Sequence, residues 1–285
     1  MSLLQGEYFT DPIHVRTYPA IDPLKASLVG KRVFVVGSGV IGQAMAISYA
    51  RAGAACIAIG THCDLTLAIK KAAQDAERKP PRVLSINIDI SSTASIDNAA
   101  ALIQASFEGI DIIVMDSGGL EEERSTAEGN MDKWWHSWTT NLRGPYLVAR
   151  AFLPMMLKGG DKTIVFVASA AAHCVHKYEA SACGTSMLAQ LRFAAFLAAE
   201  YGDQGVLPFC IHLGDLAMGA SADSTSAEHE NKWPELLADT VVYLTKRKRT
   251  WLSGRYINCT WDMPQLMAMK KEIVKEDGLK VRLVL

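Results

Sequence analysis

The tightest constraint in this sequence is a join. Four apolar β-formers, Val33–Val36, run straight into Gly37-Ser38-Gly39-Val40-Ile41-Gly42, and from there into Gln43-Ala44-Met45-Ala46. A chain that passes from strand to helix through a turn this rich in glycine has few folds open to it. The glycines let backbone lie against backbone, and the new helix must pack back on the strand it has just left. Six further apolar runs repeat the theme: Cys56–Ile59, Val83–Ile88, Ile112–Met115, Thr163–Val167, Leu207–Leu213 and Arg255–Cys259. They are rich in Val and Ile and nearly unbroken, as expected of strands covered on both faces.

Helical patterns fill the gaps, at Gln43–Ala52, Leu65–Glu77, Ser95–Phe107, Lys133–Met156, Ala182–Tyr201 and Glu235–Thr245. Strand and helix in alternation predict an α/β fold, a Rossmann-like doubly wound seven-stranded parallel sheet flanked by helices. Residues 1–30, with Pro12, Pro19 and Pro23, read as an N-terminal arm, and 31–285 as one domain. The small polar stretch at about 214–233 reads either as a lid over the site or as a surface insertion.

The function classes excluded follow from charge and composition. A formal net charge of −1 over 285 residues leaves no footprint for nucleic acid or an anionic membrane. The basic run Lys246–Arg249 suits a helix C-terminus. The six cysteines lack C-x-x-C or zinc-ligand spacing, so no metal is expected and a reduced, cytoplasmic protein fits best. The first residues lack the basic and apolar regions of a signal peptide, and no apolar run looks long enough to span a bilayer.

G-x-G-x-x-G between a strand and a helix is a cradle for a dinucleotide's pyrophosphate, which makes Gly37, Ser38, Gly39, Ile41 and Gly42 the candidate cofactor residues. An acid at the end of the second strand would hold the ribose of NAD. Here that strand ends Ile59-Gly60-Thr61-His62, with no carboxylate before Asp64 and no cation for a 2′-phosphate, so NAD and NADP both stay open. Ligands in this architecture bind beyond the carboxyl ends of the strands. Asp116, Ser169, His173, Cys174, His176, His212 and Asp215 fall there. Trp134 and Trp138 share a helix face, suited to the core or a subunit contact rather than to substrate stacking.

From about residue 14 onward the chain resembles the short-chain dehydrogenase/reductases, and among them the fungal members of natural-product pathways. Tyr18-Pro19-Ala20-Ile21-Asp22-Pro23, Trp134-Trp135 through Asn141-Leu142-Arg143-Gly144-Pro145-Tyr146, Phe196 to Gly202 and Thr260-Trp261-Asp262-Met263 carry the likeness. The resemblance implies an Asn-Ser-Tyr-Lys site: tyrosine as acid/base, lysine to lower its pKa and grip the nicotinamide ribose, serine on the substrate carbonyl, asparagine for a relay water. Asn141 and Ser169 match two of the four, but the tyrosine place holds Cys183 and the lysine place Met187. Tyr178 lies five residues early, with no lysine four places on.

Neighbouring signatures depart as well. The family's Asn-Asn-Ala-Gly stands as Asp116-Ser117-Gly118-Gly119, its Pro-Gly as Leu213-Gly214, and its carboxamide threonine as Met218; the phosphate loop is one residue short. Asp89, with Ile90 beside it, is kept at the adenine-binding place.

A thioether neither donates nor accepts a proton usefully. The expectation is therefore a non-redox enzyme of fungal secondary metabolism. It would isomerise, dehydrate or cyclise a polyketide- or terpenoid-type intermediate with Asn141, Ser169, Cys183, His173, Asp116 and Asp215 as candidate catalytic groups. A bound nicotinamide cofactor would then be vestigial or unconsumed. A carbonyl reductase using NADH or NADPH with an unusual proton donor, and a non-catalytic pseudoenzyme or partner subunit, are the alternatives. The resemblance also implies a homodimer or homotetramer built on the two long helices.

Overall fold

The structure is a computed structural model, and it describes residues 8–37, 39–116, 118, 125–175, 181–214 and 233–283. Ser38, His176, Tyr178, Asp215, Met218 and nearly all of the 214–233 loop lie outside the described residues.

The seven strands are β1 (Arg32–Val36), β2 (Cys56–Gly60), β3 (Arg82–Ile86), β4 (Ile112–Met115), β5 (Thr163–Ala168), β6 (Leu207–His212) and β7 (Tyr256–Asn258). They form one sheet in the order β3-β2-β1-β4-β5-β6-β7, and every neighbouring pair is parallel. Among the described residues nine α-helices connect and flank them: α1 (Val40–Arg51), α2 (Thr66–Asp75), α3 (Thr93–Phe107), α4 (Met131–Trp138), α5 (Gly144–Leu157), α6 (Ser181–Tyr201), α7 (Trp233–Thr245), α8 (Met263–Ala268) and α9 (Lys270–Lys275). Helix α1 packs on α2 and α7, and α5 packs on α3, so the two layers cover opposite faces as in a doubly wound fold. β2, β4, β5 and β6 are buried along their whole length, which is why their sequences read as unbroken apolar runs.

The chain winds outward from β1 to β3, returns to β4 and continues the other way. The crevice beyond the ends of β1 and β4 is therefore the switch point where ligands bind in open α/β sheets. Gly37 leaves β1 there, and Asp116 leaves β4.

Residues 8–30 are strapped to the last third of the chain. Ile13 bridges Trp261, His14 Nε2 meets Asp262 Oδ2 at 2.9 Å, and Thr17 donates to Asp239 at 2.7 Å. Tyr18 accepts from the Met263 N–H at 2.7 Å, while Ile21 and Leu28 enter the core.

Three expectations need correction. The helix expected over Lys133–Met156 is interrupted by a wide π turn, Thr139–Arg143. Thr139 and Thr140 turn their hydroxyls back to the Trp135 and His136 carbonyls, and buried bonds to Asn141 hold the turn from the other side. The sequence reading also stopped at the last strand, whereas α8 and α9 follow it, α8 starting on an Asp262 side chain that accepts from Gln265 N at 2.8 Å. Finally, the segment Ser181–Gln204 is long and apolar enough, by length and composition, to cross a bilayer. In this fold it lies on β5 and β6 and buries the polar side chains of Ser186 and Gln190, which is the placement of a core helix.

Candidate cofactor cradle and active site

The glycines of the first turn answer to different needs. A Cβ on Gly42 would stand 2.0 Å from the Gly37 carbonyl oxygen, so this position is closed by helix-on-strand packing. A Cβ on Gly39 would meet nothing within 4 Å, because that residue borders open space. The space is a cavity of about 360 Å³ running from Gly39 and Ile41 past Gly37 to Thr61, His62 and Ile90. Its size suits part of a dinucleotide. Asp89 is not among its lining residues. The Asp89 carboxylate instead accepts from the N–H and hydroxyl of Ser91 at 2.8 and 2.7 Å, bonds that hold its pKa below the usual carboxylate range. Asp64 is likewise engaged, accepting from Thr66 N at 2.9 Å at the start of α2. Both carboxylates are thus engaged by groups of their own loops.

Asp116 stands in this cavity and not with the other catalytic candidates. An added Cβ on Gly37 would lie 2.7 Å from the Asp116 carbonyl oxygen and 3.1 Å from Oδ2, and the Gly42 N–H in the first turn of α1 favours the charged carboxyl. Burial raises its pKa to about 7, partly offset by the Gly42 bond. The glycine turn and cavity thus fit part of a dinucleotide, with an acidic side chain at the head of α1.

A second group of polar residues gathers at the ends of β5, β6 and β7. Ser169 closes β5 and caps a short turn through Ala171 N, leaving its own hydroxyl hydrogen to donate. The next amide, Ala170 N–H, donates to His212 Nδ1 at 3.1 Å. His212 must accept through Nδ1, so the neutral ring carries its proton on Nε2, and burial keeps it neutral by lowering its pKa to about 4. The Tyr256 ring stacks on His212 with centroids 6.1 Å apart and meets the edge of His173 at 4.5 Å. Desolvation lowers the His173 pKa, so its imidazole is neutral at pH 7. Cys174 follows it, half-buried.

The third group lies between the π turn and α6. Asn141 is fully buried. Its Nδ2 donates to Ser186 Oγ at 2.9 Å, and its carbonyl oxygen accepts from Gln190 Nε2 at 2.9 Å. Cys183 and Met187 occupy the first turns of α6, both buried. The Met187 methyl reaches the loop after β4: a Cβ on Gly118 would lie 2.9 Å from Met187 Cε and 3.2 Å from Asn141 Oδ1.

A family profile described as short chain dehydrogenase matches residues 31–229. The chain belongs to that family. It is 44% identical to the "Short chain dehydrogenase pigC" of Monascus ruber, over 98% of this chain and 95% of that protein. It is 32% identical to the "Short chain dehydrogenase andI" of Emericella variicolor, with 97% of each covered. Among solved structures it superposes on an L-sorbose reductase from Gluconobacter frateurii, complexed with NADPH and L-sorbose, with a TM-score of 0.67 at 24% identity, covering 83% of this chain and 96% of that one. An NADH-dependent reductase complexed with NAD superposes equally well, TM-score 0.67 at 18% identity, covering 81% and 95%.

In this short-chain dehydrogenase, Ser169 and His173 bracket the short turn after β5, Asn141 is tied to the turns of α6 that carry Cys183 and Met187, and Asp116 stands in the cradle. Sequence reasoning missed Gln190, Ser186 and Tyr256. Gln190 carried a readable signal, because it follows Cys183 and Met187 at helical spacing on the same face of an otherwise apolar helix. Tyr256 carried none, since an aromatic in a terminal strand reads as ordinary core.

Proposed function

We propose that this short-chain dehydrogenase works on a small carbonyl-bearing intermediate of fungal secondary metabolism by proton transfer, as an isomerase, dehydratase or cyclase, with no net hydride transfer. The observation that carries the proposal is the closure around Asn141. The carbonyl that would hold a relay water is taken by Gln190 Nε2, and Met187, at the place where a lysine would grip a nicotinamide ribose, turns its methyl against Gly118. No charged side chain replaces the lysine on that turn of α6.

Chemistry without hydride needs a polarised carbonyl and a base. The Ser169 hydroxyl donates to the substrate oxygen, and neutral His173 takes a proton from the carbon next to that carbonyl. The C–H electron pair passes to the oxygen as an enolate held by Ser169. His173 then returns the proton at another carbon, or to a departing hydroxyl that leaves as water. His212 positions the serine turn by accepting from Ala170 N–H. The sequence-level candidate Asp215 falls outside the described residues.

The test takes the intermediate that accumulates when the gene is deleted from its source organism. Purified, dialysed protein is expected to convert it without nicotinamide, to a product of equal mass or lighter by one water. Ser169→Ala should slow that step by on the order of 100-fold. Strict dependence on NADPH, with a product two hydrogens heavier, would sink the reading. That outcome would favour the second reading, a reductase with an unusual proton donor, which the open Gly39 side of the cradle supports.

A second copy is proposed on the outer faces of α5 and α6, where Tyr146 and Phe196 stand 49% and 58% exposed. Light scattering after size exclusion should give a dimer or tetramer mass, and a monomer mass at micromolar concentration would reject this.

A further inference from the structure

We propose that the Asp116 carboxyl is a built-in anion at the head of α1, standing where a dinucleotide's diphosphate would rest and competing with it for the same backbone N–H groups. The inference rests on reading the cradle as the family's dinucleotide site, and it is independent of whether hydride is transferred.

The geometry has three parts. The first turn of a helix offers unpaired N–H groups and the positive end of the helix dipole, which is what an incoming diphosphate uses. One of those groups, Gly42 N–H, is the one that draws the Asp116 carboxyl's pKa down against burial. The carboxyl is also packed on Gly37, the residue whose lack of a side chain should let a phosphate approach. A ligand must therefore displace the carboxyl or share the α1 terminus with it, and two anions within a few ångströms repel strongly in a half-closed cavity.

The described surroundings offer Asp116 no compensating charge. The glycine turn and the first turn of α1 carry no titratable residue in the cavity. From the β2 exit His62 lines the cavity and Asp64 is tied to Thr66; from the β3 exit Asp89 is tied to Ser91. Arg143, before α5, is spent on the Ser91 carbonyl. The α6 face brings Cys183 and Met187, and neither is a cation. Burial, partly offset by the Gly42 N–H, raises the carboxyl's pKa to about 7. Protonated, the group is a neutral neighbour that a diphosphate tolerates; ionised, it excludes one. Anion affinity must therefore rise as pH falls through that value and decline as pH rises above it.

The experiment titrates NADH and ADP-ribose into the full chain and into Asp116→Asn and Asp116→Ser, at pH 6 and pH 8, with thermal melts to verify folding. NADH lacks the 2′-phosphate, whose own titration would intrude. ADP-ribose separates the diphosphate from the altered nicotinamide end. The native chain should bind roughly tenfold more weakly at pH 8 than at pH 6, the span of one titrating group centred near neutrality. Asp116→Asn should bind about tenfold or more tightly than native at pH 8, with no pH dependence left. Equal affinity of native and variant at pH 8 overturns the proposal and leaves the cradle a dinucleotide site. A pH dependence that persists in Asp116→Asn assigns it to another group and also overturns the proposal. Absence of binding by every protein at both pH values overturns the cradle reading together with it.

Discussion

Gly42→Ala is expected to cost at least about 3 kcal/mol of folding free energy, a loss on the order of 6–10 °C in Tm for a domain of this size. The added methyl would lie 2.0 Å from the Gly37 carbonyl oxygen and 2.7 Å from its carbon, and both are backbone atoms that cannot rotate away. Either α1 lifts from β1 or the turn re-forms, and α1 cannot lift without disturbing α7, with which it makes its most extensive packing. The companion Gly39→Ala measures what the turn tolerates when space is open. Nothing lies within 4 Å of its Cβ, and its φ of −74° suits any residue, so the cost should stay under about 1 kcal/mol, the loss expected at a helix cap. Urea unfolding of the two variants checks the contrast. Equal stability would mean that packing at Gly42 is not what holds the glycine there.

These two glycines and Asp116 together separate scaffold from chemistry. The turn is shaped by the demand that a helix start directly on a strand, and Gly42 meets that demand whether or not a ligand ever arrives. Ligand binding needs two further things, free N–H groups and a neutral or positive neighbourhood, and under the competition proposed above Asp116 compromises both. At the other end of the site, Met187 and Gln190 take up the space and the hydrogen bonds that a proton relay would use. The departures from the family pattern thus fall in two separate places, the cradle at β1 and β4 and the packing of Asn141 on α6, while Ser169 and His173 stay on the turn after β5.

Much of the fold was legible because a parallel sheet buried on both faces leaves a coarse signal: β4, Ile112–Met115, is uniformly apolar and was located to the residue. The break in the helix before α5 was not, since apolar spacing continues across Thr139–Arg143 and the wide turn is set by tertiary bonds from Ser186 and Gln190. Helices α8 and α9 span six residues each, too short for a period to show. Within the site, Ser169 and the glycine turn could be read from order along the chain. The role of Asp116 could not: it follows β4 and looked catalytic by position, but its partner Gly42 is distant in sequence and reaches it only through the pairing of β1 with β4.

That same pairing is secured at the opposite, amino-terminal ends of the strands, where the largest electrostatic effect in the molecule is expected. Asp111, 4% exposed, receives Arg32 N and Nε at 2.9 Å on Oδ2, Arg32 Nη2 at 3.3 Å on Oδ1, and the Asp161 N–H at 3.3 Å. One carboxylate therefore ties the starts of β1, β4 and β5. Gly160, at φ +81°, is bare on its account, since a Cβ there would approach Asp111 Oδ1 to 2.3 Å. Asp111→Ala should cost about 3 kcal/mol, near the low end for breaking a buried pair because the Arg32 side chain keeps 25% exposure. The double variant Arg32→Met with Asp111→Leu should recover part of that loss, because it leaves no buried charge alone. The pH dependence has a definite sign. The Arg32 guanidinium and amide hold the Asp111 carboxyl below its ordinary range despite burial. Its contribution is then fully present above the unfolded-state carboxylate pKa and is lost as pH falls through the lowered folded value. Denaturation midpoints from pH 7 down to pH 3 should decline more steeply for the native chain than for Asp111→Ala. Parallel pH profiles would show that the three strand ends are held by packing and not by this carboxylate.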